Sequence, residues 1–180
     1  MIRLAGLLWM CLLFSLPLYG QEKTMNWQTA DDFRAAEANV KETILWLEDN
    51  PLSTARNDTK AMTEYVLTWL ANVPYLEVTY DEIFLEGLSD SRRYKFGEKF
   101  RVTYLFGKSC YVINHQQVMD EAAASARGIK GMVKVYEELK KVDPSVKHRV
   151  LEKYQRLEKS GKTLNYVRSQ LRKVAGEATF

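Results

Sequence analysis

The sequence is poor in the residues on which disulfide scaffolds and metal sites depend. Its 180 residues include two cysteines, two histidines and four prolines. Two cysteines exclude a disulfide-rich scaffold, and the sequence has no Cys-x2-Cys or His-x3-His spacing of the kind that binds zinc. Hydrophobic residues make up 46% and charged residues 27% of the chain, a composition typical of a globular domain. We therefore expect a protein without metal or cofactor that is stabilised by its hydrophobic core.

The first twenty residues have the pattern of a secretory signal peptide. Arg3 gives a positive start, residues 4–18 carry no charge, and Gly20 is a small residue at the end of the apolar run. The run is shorter than the roughly 20 residues of a membrane span, although an uncleaved anchor remains an alternative. We expect cleavage after Gly20, which makes Gln21 the first residue of an exported protein, periplasmic or secreted, with no transmembrane span.

After such cleavage Cys110 is the one cysteine left. A single thiol cannot form an internal disulfide bond, so an exported chain must rely on packing for its stability. The apolar neighbours at 111–113 favour a buried thiol. An exposed thiol that links two chains is the alternative, and the sequence leaves the oligomeric state open.

Apolar residues in the mature chain recur mostly at intervals of three and four, which predicts an all-α fold. We expect one helical domain at 21–174, a bundle of five to six helices, and a frayed tail at 175–180. Residues 75–80 alternate and are predicted to be extended, and the similar alternation at 99–104 allows a hairpin as an alternative. The predicted helices are 31–48, 58–72, 91–114, 117–142, 144–160 and 164–174, with a further short helical turn beginning at Asp81-Glu82.

Small residues are concentrated in the helix predicted at 117–142. Gly128 and Gly131 lie among several alanines in this segment. A glycine inside a helix costs up to about 1 kcal/mol relative to alanine. We therefore expect these positions to allow another helix to approach closely.

The two halves of the mature chain carry opposite charge. Residues 22–90 hold fourteen acidic and five basic residues, whereas residues 91–180 hold nine acidic and twenty basic ones. In one interpretation the acidic half docks against the basic half, or both are simply solvated. In the other, the basic half meets an anionic partner.

The densest basic stretch alternates with aromatic residues. An exported protein rarely meets nucleic acid, so an acidic protein, a glycan or a lipid surface is the expected kind of partner. The alternative is that the aromatic residues face the core while the bases face water. The basic residues predicted to contact the partner are Arg92, Arg93, Lys95, Lys99 and Arg101, with Tyr94, Phe96 and Phe100 between them.

No set of residues in the sequence converges on a known chemistry. Cys110 and His115 are five residues apart, about 140° around a helix, and so cannot form a nucleophile pair. Gly107-Lys108-Ser109 resembles the end of a phosphate-binding loop, but the required earlier glycine is replaced by Val102. We predict a binding protein without catalytic residues. The alternative is a small hydrolase-type enzyme whose cleft holds scattered acids and tyrosines near 80–82.

The pattern as a whole resembles a loose group of small exported helical proteins of unknown function from Gram-negative bacteria. This resemblance implies export, an all-α fold and small size. The group has no known catalytic residues, so it implies nothing about a site. The stretches that carry it are Thr59-Lys60-Ala61 with Trp69-Leu70, residues 128–132 with Val135-Tyr136, Glu152-Lys153-Tyr154, and residues 161–164.

Overall fold

A computed structural model describes residues 25–53, 56–88 and 94–177. Within these ranges about 75% of the residues are helical and none is in a β-strand, which confirms the all-α class. The α-helices are α1 (Ala30–Asp49), α2 (Arg56–Asn72), α3 (Glu82–Leu85), α4 (Gly97–Asn114), α5 (Glu121–Val142), α6 (Arg149–Lys159) and α7 (Thr163–Glu177), and a 3-10 turn spans Pro144–Val146.

Helices α4 and α5 form an antiparallel pair at the centre of the fold. Their close approach depends on glycines in both helices. An ideal Cβ placed on Gly107 would lie 2.8 Å from the carbonyl oxygen of Arg127, and one on Gly128 would lie 2.8 Å from the carbonyl oxygen of Tyr104. The prediction that Gly128 allows another helix to approach is thus confirmed, and the partner is α4.

Two hydrophobic clusters lie on either side of this pair. The N-terminal core joins α1 and α2 to one face of α4, and the C-terminal core joins α3, α6 and α7 to α4 and α5. Both combine buried aromatic and aliphatic side chains. The N-terminal core includes Phe33, Ile44, Val66, Trp69 and Phe106, and the C-terminal core includes Phe84, Phe100, Tyr104, Ile129, Tyr136 and Tyr154.

Helix α1 forms where its sequence pattern predicts. Thr29 and Asp32 make a capping box, in which each side chain accepts a hydrogen bond from the backbone N–H of the other. The buried face carries Phe33, Val40 and Ile44 at helical spacing. Asn50 then ends the helix one residue before Pro51, as expected of a residue that precedes proline.

The helix predicted at 91–114 begins later, at Gly97. Tyr94 is buried and donates a hydrogen bond to the carbonyl oxygen of Val146 at 2.6 Å, which holds residues 94–96 in a turn. A Cβ on Gly97 would lie 2.1 Å from the carbonyl oxygen of Leu88, so a glycine is needed where α4 starts. From Gly97 onward the helical period prevails over the alternation at 99–104.

The C-terminal helices also differ in detail from the prediction. The helix expected at 144–160 is divided into the 3-10 turn and α6, because His148 accepts the N–H of Val150 through Nδ1 and begins a new helix. Helix α7 continues to Glu177, past the predicted start of the frayed tail at 175. Helix α5 begins at Glu121, after Asp120 caps it, rather than at 117.

Residues 76–81 form a loop without regular secondary structure, so the expected extended segment at 75–80 makes no strand. The loop is held by its side chains. Tyr75 donates a hydrogen bond to Glu37 on α1 at 3.0 Å, and the Arg101 guanidinium lies 5.0 Å from the centre of the Tyr80 ring. The short helical turn predicted at Asp81-Glu82 is present as α3. Counting it, the described ranges hold seven α-helices instead of five to six.

The predicted signal peptide at 1–20 lies outside the described residues. Within the part that the structure describes, no helix combines the length and apolarity needed to cross a membrane.

Candidate functional site

A charged cluster is buried where the loop before α3 meets α4 and α5. One carboxylate oxygen of Asp81 accepts hydrogen bonds from Tyr104, from Lys108 at 2.8 Å and from Ser125 at 2.7 Å. The Lys108 ammonium also pairs with Glu121. The Lys108 side chain is 1% exposed and Asp81 is 14% exposed, and their contacts fasten the loop to the helix pair.

The protonation of this cluster follows from its burial and its hydrogen bonds. Burial by itself would raise the pKa of Asp81, but the donors Lys108, Tyr104 and Ser125 outweigh it and hold that pKa below the usual value. Burial and the hydrogen bond to Asp81 raise the pKa of Tyr104 well above its usual range. Asp81 is therefore a carboxylate and Tyr104 a phenol at neutral pH.

A second buried ion pair joins α1 to α5. The guanidinium of Arg127 donates two hydrogen bonds to Glu48, one to each carboxylate oxygen, at 2.9 and 2.8 Å. Glu48 is 3% exposed. A Cβ on Gly131 would lie 2.5 Å from Glu48, so the glycine makes room for this carboxylate. The space predicted at Gly131 for another helix is thus occupied by the Glu48 carboxylate of α1.

These contacts explain part of the charge difference between the two halves. Acids of the N-terminal half pair with bases on α4 and α5, as the docking interpretation expected. Exposed pairs add to the two buried ones. The pairs between the halves are Asp81–Lys108, Glu48–Arg127, Asp49–Lys134 at 2.5 Å and Glu82–Arg101 at 3.7 Å.

The structure describes three of the five bases that were predicted to contact a partner. Arg92 and Arg93 lie outside the described residues. Lys95 pairs with Asp143 at 3.0 Å, Arg101 pairs with Glu82, and Lys99 donates to the carbonyl oxygen of Pro51 at 2.8 Å. Each of these three bases thus has a contact within the chain. Of the aromatic residues between them, Tyr94 and Phe100 are buried in the C-terminal core and Phe96 is half-buried against it.

The bases of α6 and α7 are arranged differently, and sequence reasoning did not single them out. Residues 147–177 hold nine basic and three acidic residues, a net charge of +6. Within the described ranges, six of the bases are exposed and have no hydrogen bond or ion pair to another side chain. They are Lys147, Arg149, Arg156, Lys162, Arg172 and Lys173. The sequence does show an excess of bases in the C-terminal half, twenty in all. It does not show which of these bases are unpaired.

A groove of about 710 Å³ opens between the end of α1, the start of α2 and one side of α4. Its apolar lining is Leu47, Val102, Phe106 and Val135, and its polar lining includes Glu48, Thr63, Glu64, Glu98, Lys99 and Thr103. The acids and tyrosine near 80–82, which sequence analysis considered for an enzyme cleft, do not line it. This volume lies within the roughly 300–1,000 Å³ of small-molecule sites.

Cys110 and the histidines are not assembled into a nucleophilic site. Cys110 is buried, as predicted, and burial raises the pKa of its thiol to about 11. His115 is stacked on Tyr111 with ring centres 3.9 Å apart, and His148 contacts the Tyr94 ring at 4.8 Å. Among the described residues, no group of three or more histidine, cysteine or acidic side chains is arranged to hold a metal ion.

Comparison with known proteins gives no match to a family model, a curated protein or a solved structure.

Proposed function

We propose that this protein is an exported binding protein without catalytic activity, and that its C-terminal helices contact an anionic partner. The observation that carries the proposal is the set of six exposed bases on and beside α6 and α7 that have no acidic partner in the described part of the chain. Docking between the two halves accounts for bases on α4 and α5 but leaves these six unexplained. We name this set, Lys147, Arg149, Arg156, Lys162, Arg172 and Lys173, the C-terminal basic surface.

The physical basis is long-range attraction and the absence of internal competition. A base already paired within the chain must give up that partner before it binds another, whereas an unpaired base need not. Each lysine or arginine near an anionic surface contributes about 1 kcal/mol, so several of them together suffice for measurable binding. Lys95 and Arg101 can join such a contact, because exposed ion pairs are worth only about 0–1 kcal/mol.

The test uses the chain that begins at Gln21 and two anionic probes. One is phosphatidylcholine vesicles with and without phosphatidylglycerol, and the other is dextran sulfate, so that the two arms separate a lipid surface from an acidic polymer. We expect binding that requires the negative charge and weakens steeply as salt rises, because exposed charges are screened beyond about 8 Å at physiological ionic strength.

Charge-reversal variants locate the surface. Changing Arg149, Arg156, Arg172 and Lys173 to glutamate should reduce binding at least tenfold. A second set, Arg92→Glu with Arg93→Glu and Lys95→Glu, tests the stretch predicted from sequence. Replacing Arg34 and Lys60 by glutamate changes two exposed bases of the acidic half and should have little effect. Binding that is insensitive to salt, or equal losses in all three sets, would refute the proposal.

A further inference from the structure

The groove beside α4 holds a cation, Lys99, that has no counter-ion among the described residues. The ammonium of Lys99 lines the groove and donates one hydrogen bond, to the neutral carbonyl oxygen of Pro51. Among the described residues no carboxylate lies within 4.0 Å of it. Lys95 and Arg101, which belong to the same basic stretch, each pair with a carboxylate. Partial burial lowers the pKa of Lys99, as expected of an ammonium that has lost part of its water.

The other charged residues that line the groove are paired with an opposite charge or are acidic. Glu48 is neutralised by Arg127, which occupies both of its oxygens. Glu64 of α2 lies 3.7 Å from Lys60, which also lines the groove, and Glu98 is exposed on α4 next to Lys99 in the sequence. These two carboxylates would repel a ligand with several negative charges. A ligand with one negative charge, placed at Lys99, avoids most of this cost.

The remaining surface of the groove is apolar. Leu47, Val102 and Phe106 line it together with Val135 of α5. Thr63 and Thr103 also line it, but each hydroxyl donates to a carbonyl oxygen of its own helix, at 2.8 Å in both cases. Their methyl groups and the aliphatic side chains thus favour an apolar ligand body over a polar one.

We propose that this groove binds a small amphipathic monoanion, with its carboxylate or sulfonate at Lys99 and its apolar body on Leu47, Val102 and Phe106. The site differs from the C-terminal basic surface in residues, in ligand size and in the part played by apolar contact. It would remain if the protein bound no anionic surface at all.

Three probes that share an eight-carbon chain test the class of ligand. They are octanoate, octanol and octylammonium, titrated calorimetrically into the chain that begins at Gln21. We expect octanoate to bind most tightly, octanol more weakly and octylammonium weakest, because only octanoate brings a negative charge to the Lys99 ammonium, whereas octylammonium is repelled by it. No binding of octanoate, or tighter binding of octylammonium, would overturn the proposal.

Two variants locate the bound probe. Lys99→Met keeps most of the side chain's length and removes the charge, so it should weaken octanoate about tenfold and octanol much less. Thr63→Phe should weaken both, since the ring fills the groove. The matched control is Lys95→Met, which changes a base four residues earlier that does not line the groove. Octanoate binding that survives both groove variants, or that falls equally in the control, would place the probe elsewhere.

The two binding proposals fail separately. Charge reversal at Arg149, Arg156, Arg172 and Lys173 should not change octanoate affinity, and Lys99→Met should change vesicle binding little. Circular dichroism and urea denaturation of each variant establish that it is folded, so that lost binding is not mistaken for lost structure.

Discussion

At the scale of single residues, the most informative side chain is Lys108. It is 1% exposed, lies in the middle of α4 and contacts the carboxylates of Asp81 and Glu121. The sequence placed it in a Gly-Lys-Ser triplet that resembles part of a phosphate-binding loop. In the structure Gly107 allows the approach of α5, Lys108 is buried in the ion cluster and Ser109 bonds to the carbonyl oxygen of Leu105. The triplet serves packing.

Removing the charge of Lys108 should cost much stability. Lys108→Met leaves Asp81 with a buried charge and no cation, and breaking a buried pair in this way typically costs about 3–5 kcal/mol. We expect a loss of about 3 kcal/mol in urea denaturation, because Glu121 can turn towards water. The matched control is Lys134→Met, which breaks the exposed pair with Asp49 and should cost less than about 1 kcal/mol. Equal losses would show that the Lys108 cluster is not a buried pair in energetic terms.

The same cluster predicts a dependence of stability on pH. The pKa of Asp81 is lower in the folded protein than its usual value of 3.8. A carboxyl group with a lowered pKa stabilises the fold above its unfolded pKa, and this contribution is lost as the pH falls through the folded pKa. The free energy of unfolding should therefore fall below about pH 4. Asp81→Asn should be less stable at pH 7 and should show a shallower decline on acidification. If the free energy of unfolding of Asp81→Asn fell with pH as steeply as that of the unchanged protein, Asp81 would not be a source of the pH dependence.

At the scale of elements, the α4–α5 pair organises the molecule. Both hydrophobic cores include residues of α4, and the ion pairs from Asp81 and Glu48 end on α4 and α5. The approach of the two helices depends on glycine in each. Amphipathic patterning identified both helices, but it could not show that Gly107 would lie against Gly128.

Gly128→Ala tests this packing directly. A Cβ there would lie 2.7 Å from the Tyr104 ring, and overpacking of this kind costs about 1–3 kcal/mol. That cost exceeds the gain of up to about 1 kcal/mol that alanine brings to a helix. The control is Gly176→Ala in α7, where a Cβ would meet nothing within 4 Å. We expect thermal denaturation to show destabilisation for the first variant and none for the second. A stabilised Gly128→Ala would mean that the helices can separate without cost.

At the scale of the whole molecule, the bases of α4 and α5 differ from those of α6 and α7 in their contacts. Among the described residues, four ion pairs join the acidic N-terminal half to α4 and α5, and the bases of α6 and α7 are largely left to solvent. The bases that pair with the N-terminal half and the bases that stay exposed therefore lie on different helices. Docking between the halves accounts for the first set of bases, and we assign the second set to an anionic partner.

Export belongs to this scale as well, and it stays a prediction. A fusion of residues 1–25 to a reporter enzyme should carry the reporter out of the cytoplasm, because the basic start and apolar run are those of a signal peptide. Mass spectrometry of the exported full-length protein should find Gln21 at its N-terminus. Retention of the protein in the cytoplasm would contradict the prediction, and an intact N-terminus in the membrane fraction would favour the uncleaved anchor.

The sequence alone determined the all-α class, because apolar spacing reports which side of a helix is buried. It also predicted helix α1, the burial of Cys110 and the short turn at Asp81-Glu82. It placed the start of α4 too early, because the turn at 94–96 depends on the hydrogen bond from Tyr94 to Val146, 52 residues away. Local periodicity carries no information about such a contact.

Only the tertiary structure decided which charges are paired, which glycines let helices approach closely and where the groove lies. Lys99 and Lys108 look alike in the sequence. Yet Lys99 lies on a groove wall and has no carboxylate partner in the described part of the chain, whereas Lys108 is buried between two carboxylates. The difference arises because Asp81 and Glu121 come from segments that meet α4 only after the chain folds. Composition and spacing indicate whether a residue tends to be buried or exposed, whereas contacts between distant segments determine which partners it has.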